Sequence, residues 1–289
     1  MSQSANRLIV RVILVLGVLL FAGISIAPII GAFNESRSSQ SSNASNNKGA
    51  APAVDQKTKL QDEVRGYELV LQREPENQTA LKALLQARLQ LLALGQGEIK
   101  DVIQPLEKLA SLNPDQTKYA VLLAQAKQQM GDNEGAAQTL RAVLETKPGD
   151  MDALQSMVAL QMSQKRPEAA IGLLQEALDK APQANKIQPN SVDTMAIRVL
   201  MGNIHASQKR YGKAFEIYEQ AIKSDSKDFR PIWAKALVLK EQGKIDEAKP
   251  LFAKAAALAP AQYKDEINKT ATQTPAPTAT ATPTASPTP

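Results

Sequence analysis

LEKLASLNPD, residues 106–115, opens on a bulky apolar residue, repeats one three positions later and closes on Asn113-Pro114. Residues three apart are neighbours on a helix surface, so Leu106 and Leu109 share a face. Proline has no N–H to continue the helix, so Pro114 stops it. The same outline returns as YELVLQREPE from Tyr67, LRAVLETKPG from Leu140, LQEALDKAPQ from Leu174, YEQAIKSDSK from Tyr218 and FAKAAALAPA from Phe252.

The closing positions Pro114, Pro148, Pro182, Ser226 and Pro260 are separated by steps of 34, 34, 44 and 34 residues. Three further columns keep the steps 34, 44 and 34: Ala136, Ala170, Ala214 and Ala248; Leu140, Leu174, Tyr218 and Phe252; Val143, Ala177, Ala221 and Ala255. Columns that share one interruption belong to one repeating unit with one insert, here NKIQPNSVDT, residues 185–194. Gly131-Asp132, Lys165-Arg166-Pro167, Lys209-Arg210 and Gly243-Lys244 form the breaker before each second helix. First helices are expected from about 117, 151, 195 and 229, with Asn190 or Ser191 starting the one that follows the insert. Leu123-Ala124, Met157-Val158, Met201-Gly202 and Ala236 fall where the paired helix crosses.

A 34-residue helix–turn–helix period with these small and bulky columns resembles the tetratricopeptide repeat. The resemblance implies an all-α fold, a right-handed superhelical solenoid over residues 55–265. Its clear units are 117–150, 151–184, 195–228 and 229–262, with an irregular unit at 79–114 and a lone second helix, residues 57–75, as a cap. The departures are the missing first-helix Trp of the family, with Trp233 one residue past that column, and Ser226 in place of a closing Pro. The last stretch, FRPIWAKALVLKEQGKIDEAKPLFAKAAALAPAQYKDEI, is similar to the cyanobacterial and plastid Slow Green-like group, which implies a photosynthetic membrane.

Residues 12–33, VILVLGVLLFAGISIAPIIGAF, carry no charge. As a helix rising 1.5 Å per residue this segment matches the ~30 Å hydrocarbon core of a bilayer. Arg7 and Arg11 before it put residues 1–11 in the cytoplasm and the repeats on the periplasmic or thylakoid-lumen side. A cleaved signal peptide is the competing reading. The apolar run is long for one, and Pro28 after Ala27 suits a cleavage site poorly, which favours an uncleaved anchor. Residues 34–54, rich in Ser and Asn, read as a flexible tether, and residues 266–289, rich in Thr, Pro and Ala, as a disordered tail.

The composition excludes several chemistries. The 289 residues include no Cys, which removes disulfides, thiolate metal sites and thiol nucleophiles, and one His, which removes multi-His metal sites within one chain. No phosphate-binding Gly-rich loop and no Ser-His-acid arrangement is present. His205 stands where the family places a packing Tyr, and Asp246-Glu247 point about 100° apart on a helix, so they are not a catalytic pair. The expectation is a non-catalytic protein with no cofactor and no metal. Nucleic acid is discounted because few aromatics accompany the basic residues. Residues 195–265 hold 13 basic against 8 acidic side chains, a modest excess that suits an acidic partner or anionic headgroups.

The family's concave face is lined by first helices and takes a peptide or a partner helix. Here the side chains expected on that face are Val121, Gln125 and Gln128; Gln155, Ala159 and Met162; Asn203 and Ala206; Arg230, Trp233, Leu237 and Lys240. Trp and Arg are the types that most often anchor an interface. The competing reading of Trp233 is packing against the second helix or a C-terminal cap. The Lys/Asn carboxylate clamp of chaperone-tail binders is not reproduced, since Val121, Gln125, Gln155 and Ser156 occupy its positions and only Arg230 resembles a clamp residue. The expected role is a membrane-anchored scaffold or assembly factor for photosynthetic complexes. A general cell-envelope scaffold in a secretion, pilus or cell-wall complex is the alternative, and an enzyme with a cryptic site is a remote one. Oligomeric state is left open.

Overall fold

The computed structural model of the chain describes residues 53–272. The segment read as a membrane span, residues 12–33, lies outside the described residues. So do residues 34–52 of the tether and residues 273–289 of the tail. Among the described residues all regular structure is helical, and no helix is long and apolar enough to cross a membrane. The chain divides into two compact units, one ending at Val192 and the other starting at Asp193.

The first unit holds α1 (Ala53–Arg73), α2 (Gln78–Ala93), α3 (Lys100–Leu112), α4 (Lys118–Gln129), α5 (Asn133–Thr146), α6 (Met151–Ser163) and α7 (Pro167–Ile187). The second holds α8 (Thr194–Ser207), α9 (Tyr211–Ser224), α10 (Phe229–Glu241), α11 (Ile245–Leu258) and α12 (Ala261–Thr272). Within each unit helices adjacent in sequence pack together, and their short links make them antiparallel.

The repeat columns are the core. None of the twelve side chains in the Ala136, Leu140 and Val143 columns exceeds 8% exposure. Leu106 and Leu109 of the opening stretch are buried against Leu81, Leu85, Tyr119 and Leu123. Asn113 ends α3 by donating its side-chain amide to the Leu109 carbonyl at 2.9 Å, which satisfies a carbonyl left over at the helix end. Gly202 makes the α8–α9 crossing: a Cβ there would sit 2.2 Å from the Tyr218 ring.

The turns between paired helices share one geometry. Gly131, Lys165, Lys209 and Gly243 all have positive φ, at 85°, 59°, 57° and 77°. In each, the left-handed residue donates to the carbonyl three residues back and the next residue donates five back, as with Gly131 to Gln128 and Asp132 to Lys127, or Lys209 to Ala206 and Arg210 to His205. That is the Schellman closure, which serves the last carbonyls of the first helix and reverses the chain.

Three expectations are corrected. Pro182 does not stop its helix, because α7 runs on to Ile187 with Pro182 inside it. The extension is held from outside: Asn185 donates to the Val192 carbonyl at 3.0 Å and accepts from the Val192 N–H at 2.8 Å and the Ser191 hydroxyl at 3.2 Å. The helix after the insert is started neither by Asn190 nor by Ser191 but by Asp193, whose carboxylate accepts from the Ala196 N–H at 2.9 Å. Residues 266–272, assigned by composition to the tail, are helical as the second half of α12, because Ile267 is buried among Ile232, Leu239, Phe252 and Ala255.

Candidate functional site

In the first unit the expected lining comes from α4 and α6. Val121 is buried, so it belongs to the core rather than to an open face. Gln125, Gln128, Gln155, Ala159 and Met162 are half-buried. The Gln128 amide donates to the Ser163 hydroxyl at 3.4 Å and ties the end of α4 to the end of α6. Asp150, which caps α6 through the Ala153 N–H at 2.9 Å, also accepts from the Thr117 hydroxyl at 2.6 Å, fixing the other end. Two first helices are therefore held side by side with half-exposed amides between a small and a flexible apolar residue. Amides that can donate and accept suit a peptide backbone, and Met adapts to varied side chains.

In the second unit the candidates are engaged inside the chain. Asn203 on α8 accepts from the Tyr218 hydroxyl at 2.7 Å. Tyr218 is fully buried, and that burial, with the charge of Glu241 adding to it, raises its phenol above the ordinary value. Ala206 is buried. Arg230 on α10 is gripped by two helix-capping carboxylates: its guanidinium bonds Asp228, one contact being 2.6 Å, and also Asp193. These bonds, led by Asp228, raise the Arg230 pKa. A guanidinium already paired twice is engaged within the chain, in keeping with a carboxylate clamp that the sequence does not reproduce.

The remaining three α10 residues meet α12. The Trp233 indole N–H donates to the Thr270 hydroxyl at 3.3 Å, and its ring stacks on Phe229 with centroids 6.4 Å apart. Leu237 packs against the cluster around Ile267. Lys240 is 9% exposed, donates to the Thr270 main-chain carbonyl and lies 5.8 Å from the Phe252 ring centroid. Burial lowers its pKa. These contacts match the competing reading of Trp233, packing against a C-terminal cap; what sequence reasoning missed is how far α12 reaches, to Thr272. The signal was present, since Tyr263, Ile267 and Ala271 recur every fourth residue.

No group of three or more His, Asp or Glu placed to hold a metal occurs among the described residues. Asp246 and Glu247 lie in the first turn of α11, where acidic groups favour the helix dipole. His205 is a half-buried residue of α8.

Repeated antiparallel helix pairs with buried small and bulky columns define a tetratricopeptide-repeat protein, and family models described as tetratricopeptide repeat match residues 93–160, 196–228 and 230–262. Such repeats generally mediate protein–protein interactions, and the fold is typically a non-catalytic one. The chain is 30% identical over 192 residues to protein SLOW GREEN 1, chloroplastic, of Arabidopsis thaliana, a match covering 66% of this chain and 58% of that protein. It is 24% identical over 183 residues to the human Protein O-mannosyl-transferase TMTC1, covering 63% of this chain and 20% of that protein. The chain thus matches under two thirds of the length of either relative. Among solved structures, a tetratricopeptide repeat protein from Parabacteroides merdae is similar with a TM-score of 0.44 at 14% identity, covering 76% of this chain and 80% of that one.

Proposed function

We propose that this chain is a membrane-anchored interaction protein that holds partner polypeptides on the faces of its first helices and assists assembly of photosynthetic membrane complexes. The uncharged run at residues 12–33, with Arg7 and Arg11 before it, supports an anchor with the repeats on the lumenal or periplasmic side. The similarity to a chloroplastic protein over 192 residues supports the photosynthetic setting. The observation that carries the binding role is the pair α4 and α6, bridged at Gln128–Ser163, with Gln125, Gln155 and Met162 left half-exposed. Within this reading the folded region reaches from α1 to Thr272, and residues 34–52 act as a spacer from the membrane.

A photo-crosslinking amino acid at Gln125 or Met162, in the full chain within its own membrane, followed by identification of the captured protein, tests this. Capture of a photosynthetic-complex subunit is the expected result. Capture of pilus, secretion or cell-wall components overturns the photosynthetic setting. Protease added from the cytoplasmic side should leave the repeats intact, and digestion from that side overturns the topology.

The match to a transferase favours one other reading, that of the repeat region of an enzyme. It takes in a fifth of that protein, so the match by itself supports an interaction region rather than catalysis.

A further inference from the structure

The α10 face that carries Phe229, Trp233, Leu237 and Lys240 is filled by the chain itself. Tyr263 of α12 lies 5.3 Å from the Phe229 ring, Ile267 enters the apolar cluster, and Thr270 meets both Trp233 and Lys240. The hold is thin. Ile267 is the one buried residue of α12, whereas α10 buries Pro231, Ile232, Ala234, Ala236, Val238, Leu239 and Lys240. Its charged residues Lys264, Asp265, Glu266 and Lys269 are exposed. A twelve-residue helix is marginal by itself, and segments with few buried contacts open before the rest of a fold. Beneath it lies a surface built for a helix: an apolar slot, an indole donor, and a buried ammonium aimed at the carbonyl end of whatever helix occupies the slot.

We propose that α12 is an exchangeable, built-in ligand, and that the α10 surface under it is a binding site for an amphipathic helix of a partner protein. The partner helix presents a bulky aliphatic side chain in place of Ile267, and its last turn gives its carbonyls to Lys240 and an acceptor to the Trp233 indole. Binding displaces α12, so the site is closed until a helix with more apolar contact arrives. This deepens, and rests on, the reading that first-helix faces bind protein.

Trp233 is the single Trp of the chain, so its emission reports this site alone. The test uses the full chain in mild detergent, hydrogen exchange, and a quencher-labelled peptide with the sequence of residues 259–272. In the wild type the α12 amides should exchange roughly 100-fold faster than those of α10. Ile267→Glu, which loosens α12 and leaves α10 untouched, should bind the peptide at least about tenfold tighter than the wild type, read as Trp233 quenching. Exchange of α12 in step with α10, or no gain in peptide binding by a variant that keeps its helical circular dichroism, overturns the proposal. If Ile267→Glu loses helical content, Ile267→Ala serves for the same comparison. A variant that binds the peptide while crosslinking captures no protein sustains the exchange and sinks the interaction reading, so the two fail separately.

Discussion

Arg88 supplies a hydrogen bond that Pro105 cannot. Pro105 lies inside α3, and its missing N–H leaves the carbonyl of Asp101, four residues back, without its helical donor. The Arg88 guanidinium, reaching from α2, donates to that carbonyl and bonds Glu68 of α1 at 2.6 Å. One side chain thereby joins three helices of the irregular N-terminal unit.

The first prediction follows from this pairing. Arg88→Met should cost about 1.5–3 kcal/mol, the range for hydrogen bonds to charged groups, because it strands the Asp101 carbonyl. In a Pro105→Ala background the alanine N–H refills that acceptor, so the cost of Arg88→Met should fall by about 1 kcal/mol. Native-state hydrogen exchange of the α2 and α3 amides reads this without assuming that the whole repeat array unfolds in one step. Equal costs in both backgrounds would show that the proline and the arginine act independently.

The second concerns the turns. Gly131 and Gly243 take their left-handed conformation without a Cβ penalty, while Lys165 and Lys209 adopt it at 59° and 57°. A side chain there costs roughly 1–2 kcal/mol. Lys165→Gly and Lys209→Gly, less the entropy glycine adds to the unfolded chain, should each stabilise by about 0.5–1 kcal/mol. Gly131→Ala and Gly243→Ala should destabilise by about 1 kcal/mol. Urea midpoints of the four variants decide the matter, and a loss on Lys→Gly would refute the strain argument.

How far the sequence can be read is visible at these same residues. The buried columns at Ala136, Leu140 and Val143 were legible because a helix pair repeated at constant spacing must bury the same positions each time. The glycine turns were legible by type. The two lysine turns were placed correctly, but their left-handed geometry was not, since lysine has no preference for it and the Schellman hydrogen bonds that close the turn impose it. Pro182 misled because its local rule was overridden by a tether from Asn185 to Val192, seven residues further on. At Trp233 the sequence left groove lining and packing against a C-terminal cap as alternatives, because the occupant, α12, is mostly polar and buries one aliphatic residue. Val121, read as lining, is buried, whereas Gln125 and Gln128, one and two turns further along the same helix face, are half-buried, so burial at the start of α4 depends on neighbours that periodicity does not report.

The third prediction tests the tightest crossing. Gly202→Ala places a methyl 2.2 Å from the Tyr218 ring, which is fully buried. Overpacking of this kind costs about 1–3 kcal/mol, and here the ring has no room to retreat. Tyr218→Phe removes only the 2.7 Å bond to Asn203 and should cost about 1 kcal/mol. Thermal unfolding of the two variants should therefore rank Gly202→Ala well below Tyr218→Phe. The reverse order would mean that α8 and α9 are more loosely packed than this geometry requires.

The fourth turns on Asp193, which caps α8 and grips Arg230 of α10. Burial alone would raise its carboxyl, but the Arg230 guanidinium and the Ala196 and Met195 N–H groups outweigh that and take it below its ordinary value of 3.8. A carboxyl with a lower pKa folded than unfolded binds protons more readily in the unfolded chain. Its stabilising contribution is therefore complete above the unfolded value and drains away as pH falls through the lower, folded one. The second unit should lose stability on acidification below about pH 4. Asp193→Asn keeps a good cap residue and removes the charge, so it should be less stable at neutral pH and show a shallower acid loss. A nuclear magnetic resonance titration of the Asp193 carboxyl carbon checks the cause directly, and a midpoint above the ordinary aspartate value would falsify the conclusion that Arg230 and the two N–H groups together outweigh burial.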